Sequence, residues 1–170
     1  MSENAVRNGR YTAELDDEGI VVLLIGMRFN RWWRMDKWWF VVAGMYRMVQ
    51  YLRQADDGLL NTHVWVGRTP LLVQYWRSLD ELNAFAADPH APHARTWRDF
   101  NRRVAGDGTV GIFHETYRIV PGQSEAMYVN MPRFGLGGAA RSVAVDATRH
   151  TARQRMDRQR RSVRTDISNP

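Results

Sequence analysis

The side chains of this sequence that are suited to chemistry gather in two crowded stretches. One runs from Pro70 to Ile119 and carries Gln74, Tyr75, Trp76, Trp97, Asn101, His114 and Glu115; the other, RWWRMDKWWF from Arg31 to Phe40, has four tryptophans. His114 has the side chain that changes charge nearest neutral pH, so it suits a general base, a proton shuttle or a haem ligand. Its neighbour Glu115 invites an acid–base pair. If Thr109 to Val120 is a strand, alternation puts Val110, Ile112, His114 and Thr116 on one face and Phe113, Glu115, Tyr117 and Ile119 on the other. The dipeptide is thereby split, and Glu115 is left to bond Arg or Tyr groups across the sheet. Gln74 and Trp76 share a face at the end of a strand, with Tyr75 on the opposite one. Two aromatics and an amide there suit the wall of an apolar pocket, and Trp97, Phe100 and Asn101 can cover the same cavity from a helix.

Other chemistries are excluded or unsupported. With no cysteine in the chain, disulfides, thiolate nucleophiles and Cys-ligated metals are ruled out. The five histidines form no HxH or HExxH, so no metal site is expected. There is no P-loop, no GxGxxG and no nucleophile elbow. His90 and His93 fall in a break between two helical pieces, and His93 there is a second candidate haem ligand besides His114.

The elements that must position these groups follow from periodicity. Glu18 to Phe29 is a strand apolar on both faces, which requires cover on both; a partner subunit is the natural candidate for the second. Asp36 suits the start of a helix running to about Gln54 and stopped by Asp56-Asp57-Gly58. Leu60–Val66 and Leu71–Trp76 make an antiparallel hairpin through Gly67-Arg68-Thr69-Pro70. Ser78-x-x-Glu81 is a capping box opening the next helix, which Asp88-Pro89-His90-Ala91-Pro92 interrupts before a second piece from His93 to Val104. With Thr109 to Val120, the order is βαββαβ, a ferredoxin-like α+β fold. A flexible leader (1–17) precedes a ferredoxin-like domain (18–138), and a basic tail (139–170) follows it, with partial order expected unless it docks on a partner.

The net charge of +6 belongs to that tail, where eight arginines and three aspartates leave the body near +1. Nucleic-acid binding is therefore not expected beyond the tail. The polar start has no apolar core of a signal peptide, and the longest apolar run, Ile20 to Met27, is too short to span a bilayer. A cytoplasmic protein without membrane contact is the expectation.

Several motifs in order resemble one family. They are Gly26-x-Arg28-x-Asn30, the Trp-rich helix start, Val73-Gln74-Tyr75-Trp76-Arg77-Ser78, Trp97-x-x-Phe100-Asn101, Gly111-Ile112-x-His114-Glu115-Thr116-Tyr117, and Tyr128-x-Asn130-Met131-Pro132-x-x-Gly135-Leu136-Gly137. The resemblance is to the monooxygenase-like family of dimeric α+β barrels that includes a fungal polyketide-associated monooxygenase, related to antibiotic biosynthesis monooxygenases. It implies a homodimer and an oxygen-using tailoring enzyme acting on an apolar, conjugated or aromatic small molecule, with no cofactor or with haem. His114 would act on the substrate. Arg28, Asn30, Gln74, Tyr75, Trp76, Trp97, Asn101, Glu115 and Tyr128 would line its pocket. The alternatives are a haem enzyme of the same fold, such as an aldoxime dehydratase, and a non-catalytic dimeric binding or assembly module.

Overall fold

A computed structural model describes residues 5–52, 57–104 and 106–166. The elements are β1 (Arg7–Glu14), β2 (Ile20–Phe29), α1 (Met35–Leu52), β3 (Leu59–Trp65), β4 (Leu71–Trp76), α2 (Leu79–Ala87), α3 (Pro92–Arg103), β5 (Val110–Ile119), β6 (Tyr128–Met131), α4 (Leu136–Ala139), β7 (Arg141–Ala144) and α5 (Ala152–Asp166). Four strands form an antiparallel sheet in the order β3-β4-β2-β5, which is the ferredoxin-like βαββαβ arrangement. The expected helix end at Gln54 and the Asp56 of its stop lie outside the described residues.

Local chemistry sets the boundaries. Ser78 Oγ accepts the Glu81 N–H at 3.1 Å, so the expected cap of α2 forms. Pro92 opens α3 at a position where its missing N–H has no role, so the proline-rich break separates two helices instead of kinking one. On the front of the sheet α1, α2 and α3 bury two apolar clusters. Val21, Leu72 and Trp76 meet Met48, Val49, Leu52 and Leu82 toward one end. Met27, Phe29 and Val110 meet Val41, Phe100 and Val104 toward the other.

The rear of the sheet corrects three expectations. Arg7–Glu14, read from the sequence as part of a loose leader, is a strand pairing with β6 and β7 in a second sheet. Polar composition hid it, because only Thr12 and Ala13 of its eight residues are buried. Part of the cover for β2 comes from the chain itself: Ala13, Leu15 and Leu136 close over Ile20. A partner subunit is not needed at that end, although Phe113 and Tyr117 on β5 remain exposed. The basic tail also docks on its own chain. Arg149 binds Glu14 at 2.7 Å, Arg155 binds Glu125, and buried Gln159 donates to the Ala13 carbonyl at 3.0 Å. Its thin apolar face gave no hint of this, because arginine hydrogen bonds and not apolar burial hold α5 in place.

Candidate functional site

Between the two front clusters the helices do not fill the space above the sheet. The facing residues there are small or flexible: Gly44 and Met45 on α1, Ala86 on α2, Thr96 on α3 and Thr116 on β5. Gly44 lets α1 approach α3 closely, since a β-carbon would collide with the Thr96 side chain. The result is a cavity of about 470 Å³. Its floor is Leu23, Ile25 and Met27 of β2 with Ile112, His114 and Thr116 of β5. Its roof is drawn from α1, from Leu82, Asn83 and Ala86 of α2, and from His93, Thr96, Trp97 and Phe100 of α3. Among the described residues, no aspartate, glutamate, lysine or arginine lines it. An uncharged, largely apolar cavity of this size suits a small molecule of mostly apolar surface.

The cavity lies on the His114 face of β5. His114 pairs with Ile25 and Thr116 with Leu23 across the sheet, on the face under the helices. Glu115 pairs with Leu24 on the rear, where it accepts a 2.5 Å hydrogen bond from exposed Tyr117. Among the described residues no hydrogen bond engages the side chains of His114, Thr116 or Asn83. These three exposed polar groups border the cavity and are open both to solvent and to a bound molecule.

The remaining candidates lie apart from the cavity. Arg28 reaches the hairpin turn at Thr69 Oγ1 (3.3 Å), and Asn30 Nδ2 donates to the Gly108 carbonyl at 3.1 Å, so both tie loops at the end of the sheet. Gln74 and Trp76 are fully buried beneath the helices, bonded to each other through indole N–H to amide oxygen at 3.1 Å. Gln74 Nε2 is left without a partner among the described residues. Asn101 is exposed outside the wall. Of the residues proposed from sequence, Trp97, His93 and His114 meet at the cavity. Asn83 and Thr96 were not anticipated; Asn83 follows Leu82 on α2, and helical spacing gave no reason to single it out. Thr116 shares the face of His114, a placement alternation had already given.

His93 fits a haem ligand poorly. Its Nε2 lies 3.1 Å from the Ala86 carbonyl and must donate there, and its Nδ1 is buried without a partner among the described residues. Nε2 is thus engaged and Nδ1 buried, and the ring lies tilted against Phe85 with centroids 4.7 Å apart, joining α3 to α2. No cation of the lining stands ready for the two carboxylates of a haem. A haem-bound form would rest on His114.

Tyr75 and Tyr128 belong to a second, closed cluster on the rear. His63 Nε2 accepts the Gly135 N–H at 2.8 Å, which fixes the neutral imidazole with its proton on Nδ1. Burial lowers the basicity of His63 in the same sense. Asn61 Nδ2 donates to the Gly135 carbonyl at 3.3 Å, and Tyr128 Oη accepts the Gly137 N–H at 3.0 Å. Burial pushes the Tyr75 and Tyr128 phenols up, so both stay protonated well beyond neutral pH. Gly135 needs its positive φ of 55°, and a β-carbon at Gly137 would come within 2.7 Å of the Tyr128 ring. Phe134 lies on His63 with ring centroids 4.1 Å apart. The PRFGLGG segment is thus a packed and hydrogen-bonded latch, not a pocket.

Comparison with known proteins agrees with the fold and places the chain. The pattern of the family described as monooxygenase af470-like matches residues 20–136. Monooxygenase af470 of Aspergillus fumigatus is 36% identical over 93 residues, which are 51% of this chain and 32% of that protein. The crystal structure of the aldoxime dehydratase OxdRE in complex with butyraldoxime matches with a TM-score of 0.66 at 17% identity, over 85% of this chain and 43% of that one. A second aldoxime dehydratase structure matches with a TM-score of 0.65 at 18% identity, over 83% and 43%. The chain therefore spans about a third of the curated relative and under half of these enzymes, and at such identities the structures speak for the fold alone. The family match covers well over half of the sequence, and on that ground the chain belongs to the monooxygenase af470-like family.

Proposed function

We propose that this chain is an oxygen-using tailoring enzyme that takes an apolar, conjugated or aromatic small molecule into the cavity between sheet and helices. The observation that carries this reading is His114, accessible in the wall of a 470 Å³ cavity that no carboxylate, lysine or arginine lines among the described residues. His114 is the base that removes an acidic C–H or O–H proton from the bound substrate. The apolar walls leave the resulting carbanion or phenolate poorly solvated, which favours electron transfer from that anion to dioxygen. Thr116 and Asn83 orient the substrate's polar end, and Trp97 and Phe100, stacked at 5.7 Å, form a π-rich wall. Membership of a monooxygenase-like family supports the same reaction class.

Oxygen uptake with a panel of conjugated enols and phenols tests this, with the H114A variant as control. Turnover that collapses in the variant supports the reading, and unchanged rates remove His114 from the mechanism. The haem alternative has its own measurement. A Soret band after incubation with haemin that vanishes in H114A would establish it, and no band would dismiss it. A homodimer is also part of this reading, with the exposed rear residues Phe113 and Tyr117 as the contact. Light scattering of F113D against the parent chain checks it.

A further inference from the structure

We propose that the outside of the helical layer, formed by α1, the loop before it and α3, docks on an anionic lipid bilayer. The idea is independent of the reaction in the cavity. Helix α1 is apolar on two faces. Val41, Met48, Val49 and Leu52 meet its packing needs against the sheet and the other helices. Met35, Trp39, Val42 and Tyr46 recur at helical spacing on another face, and all are exposed, Trp39 at 65% and Tyr46 at 66%. Trp32 and Trp33 in the preceding loop are each 62% exposed. Single exposed apolar residues need no explanation, but six in one short segment, three of them tryptophan and one tyrosine, mark an interaction surface. Trp and Tyr are the residues that settle at a membrane interface, where one part of the ring is dry and the other wet.

Charge identifies the partner. Residues 28–50 hold five cations and one acid, and residues 92–107 hold four cations and two acids. The rest of the body, through residue 138, holds seven cations and twelve acids. The near-neutral body is thus strongly polarised, with its positive charge on α1, α3 and the loops that flank them. The three acids of these two stretches are matched: Asp36 by Arg34, Asp99 by Arg102 and Asp107 by Lys37. On α3, Arg95, Arg98 and Arg102 form one exposed row. A second copy of the chain would bring these like charges together, whereas anionic headgroups meet both the arginines and the aromatics. No described helix is long and apolar enough to cross a membrane, so the contact is with the surface.

The test uses the full chain with phosphatidylcholine vesicles, with and without phosphatidylserine. Binding is read by sedimentation and by quenching of tryptophan with brominated lipid. The chain should bind the anionic vesicles, quench, and bind neutral vesicles far more weakly. Replacing Arg95, Arg98 and Arg102 with Gln should weaken binding about fivefold per arginine. Replacing Trp33, Trp39 and Tyr46 with Ser should abolish quenching-competent binding while circular dichroism stays unchanged. Equal binding to both vesicle types overturns the proposal. So does binding lost only when Arg153 and Arg158 of α5 become Gln, which would move the contact to the tail. A lipid-free oligomer that dissociates when Trp39 and Tyr46 are replaced overturns it as well, because a second copy would then cover the face.

Discussion

The two faces of the main sheet carry similar side chains and do opposite things with them. Each has histidine, amide and aromatic groups in close order. On the rear, His63, Asn61 and Tyr128 spend their polar atoms on the backbone of one glycine-rich segment, and no space is left. On the front, His114, Asn83 and Thr116 face a cavity whose other walls are apolar. What separates a structural cluster from a candidate site is therefore whether its polar groups are bonded inside the protein or, as on the front, open to solvent and to a ligand. A rear residue should then act on stability and a front residue on activity, and crossing those effects would break the distinction.

The largest effect is expected at the front. H114A should lower turnover of a responsive substrate by about 100-fold or more, with urea unfolding close to that of the parent. A large stability loss with unchanged turnover would reverse the assignment of the faces. At the rear, G137A drives a methyl group into the Tyr128 ring and should cost about 2–3 kcal/mol by urea unfolding. Y128F leaves the Gly137 N–H without its phenol acceptor and should cost about 1–2 kcal/mol. Both rear variants should still bind a neutral apolar dye in the cavity with near-parental affinity, read by fluorescence titration. Loss of dye binding in proportion to the loss of stability would mean the two faces are not separable.

Much of this division was legible in the sequence, for identifiable reasons. Strict alternation along β5 separates His114 from Glu115 without any structure, and the cap at Ser78 and Pro92 fix where α2 and α3 begin. Residues chosen because they belong to family motifs fared differently. Arg28, Asn30, Tyr75 and Tyr128 hold loops and turns in place, and a motif does not say whether it encodes a fold or a site. Asn83 and Thr96 were missed because a cavity wall made by three helices depends on how they pack over one sheet, which has no sequence period. Strand β1 was missed because its partners β6 and β7 lie more than a hundred residues further along the chain, and a short, mostly polar strand carries almost no local signal.

The smallest expected effect is also the most selective for the rear. His63 is neutral in the folded state, accepts the Gly135 N–H, and has its basicity lowered by burial. The unfolded chain therefore takes up a proton at this site at a higher pH than the folded one. The His63 contribution is fully present above the ordinary imidazole range near 6.5. It is lost as the pH falls below that value and on through the lower folded pKa. Because His63 is only partly buried, the loss should be modest. H63Q keeps an oxygen that can accept the Gly135 N–H but removes the titration. Its unfolding free energy, measured by urea from pH 7.5 to 5, should fall less steeply than that of the parent. If the acid branch of H63Q is as steep as that of the parent, His63 is not the imidazole coupled to the fold, and the division between the two faces fails.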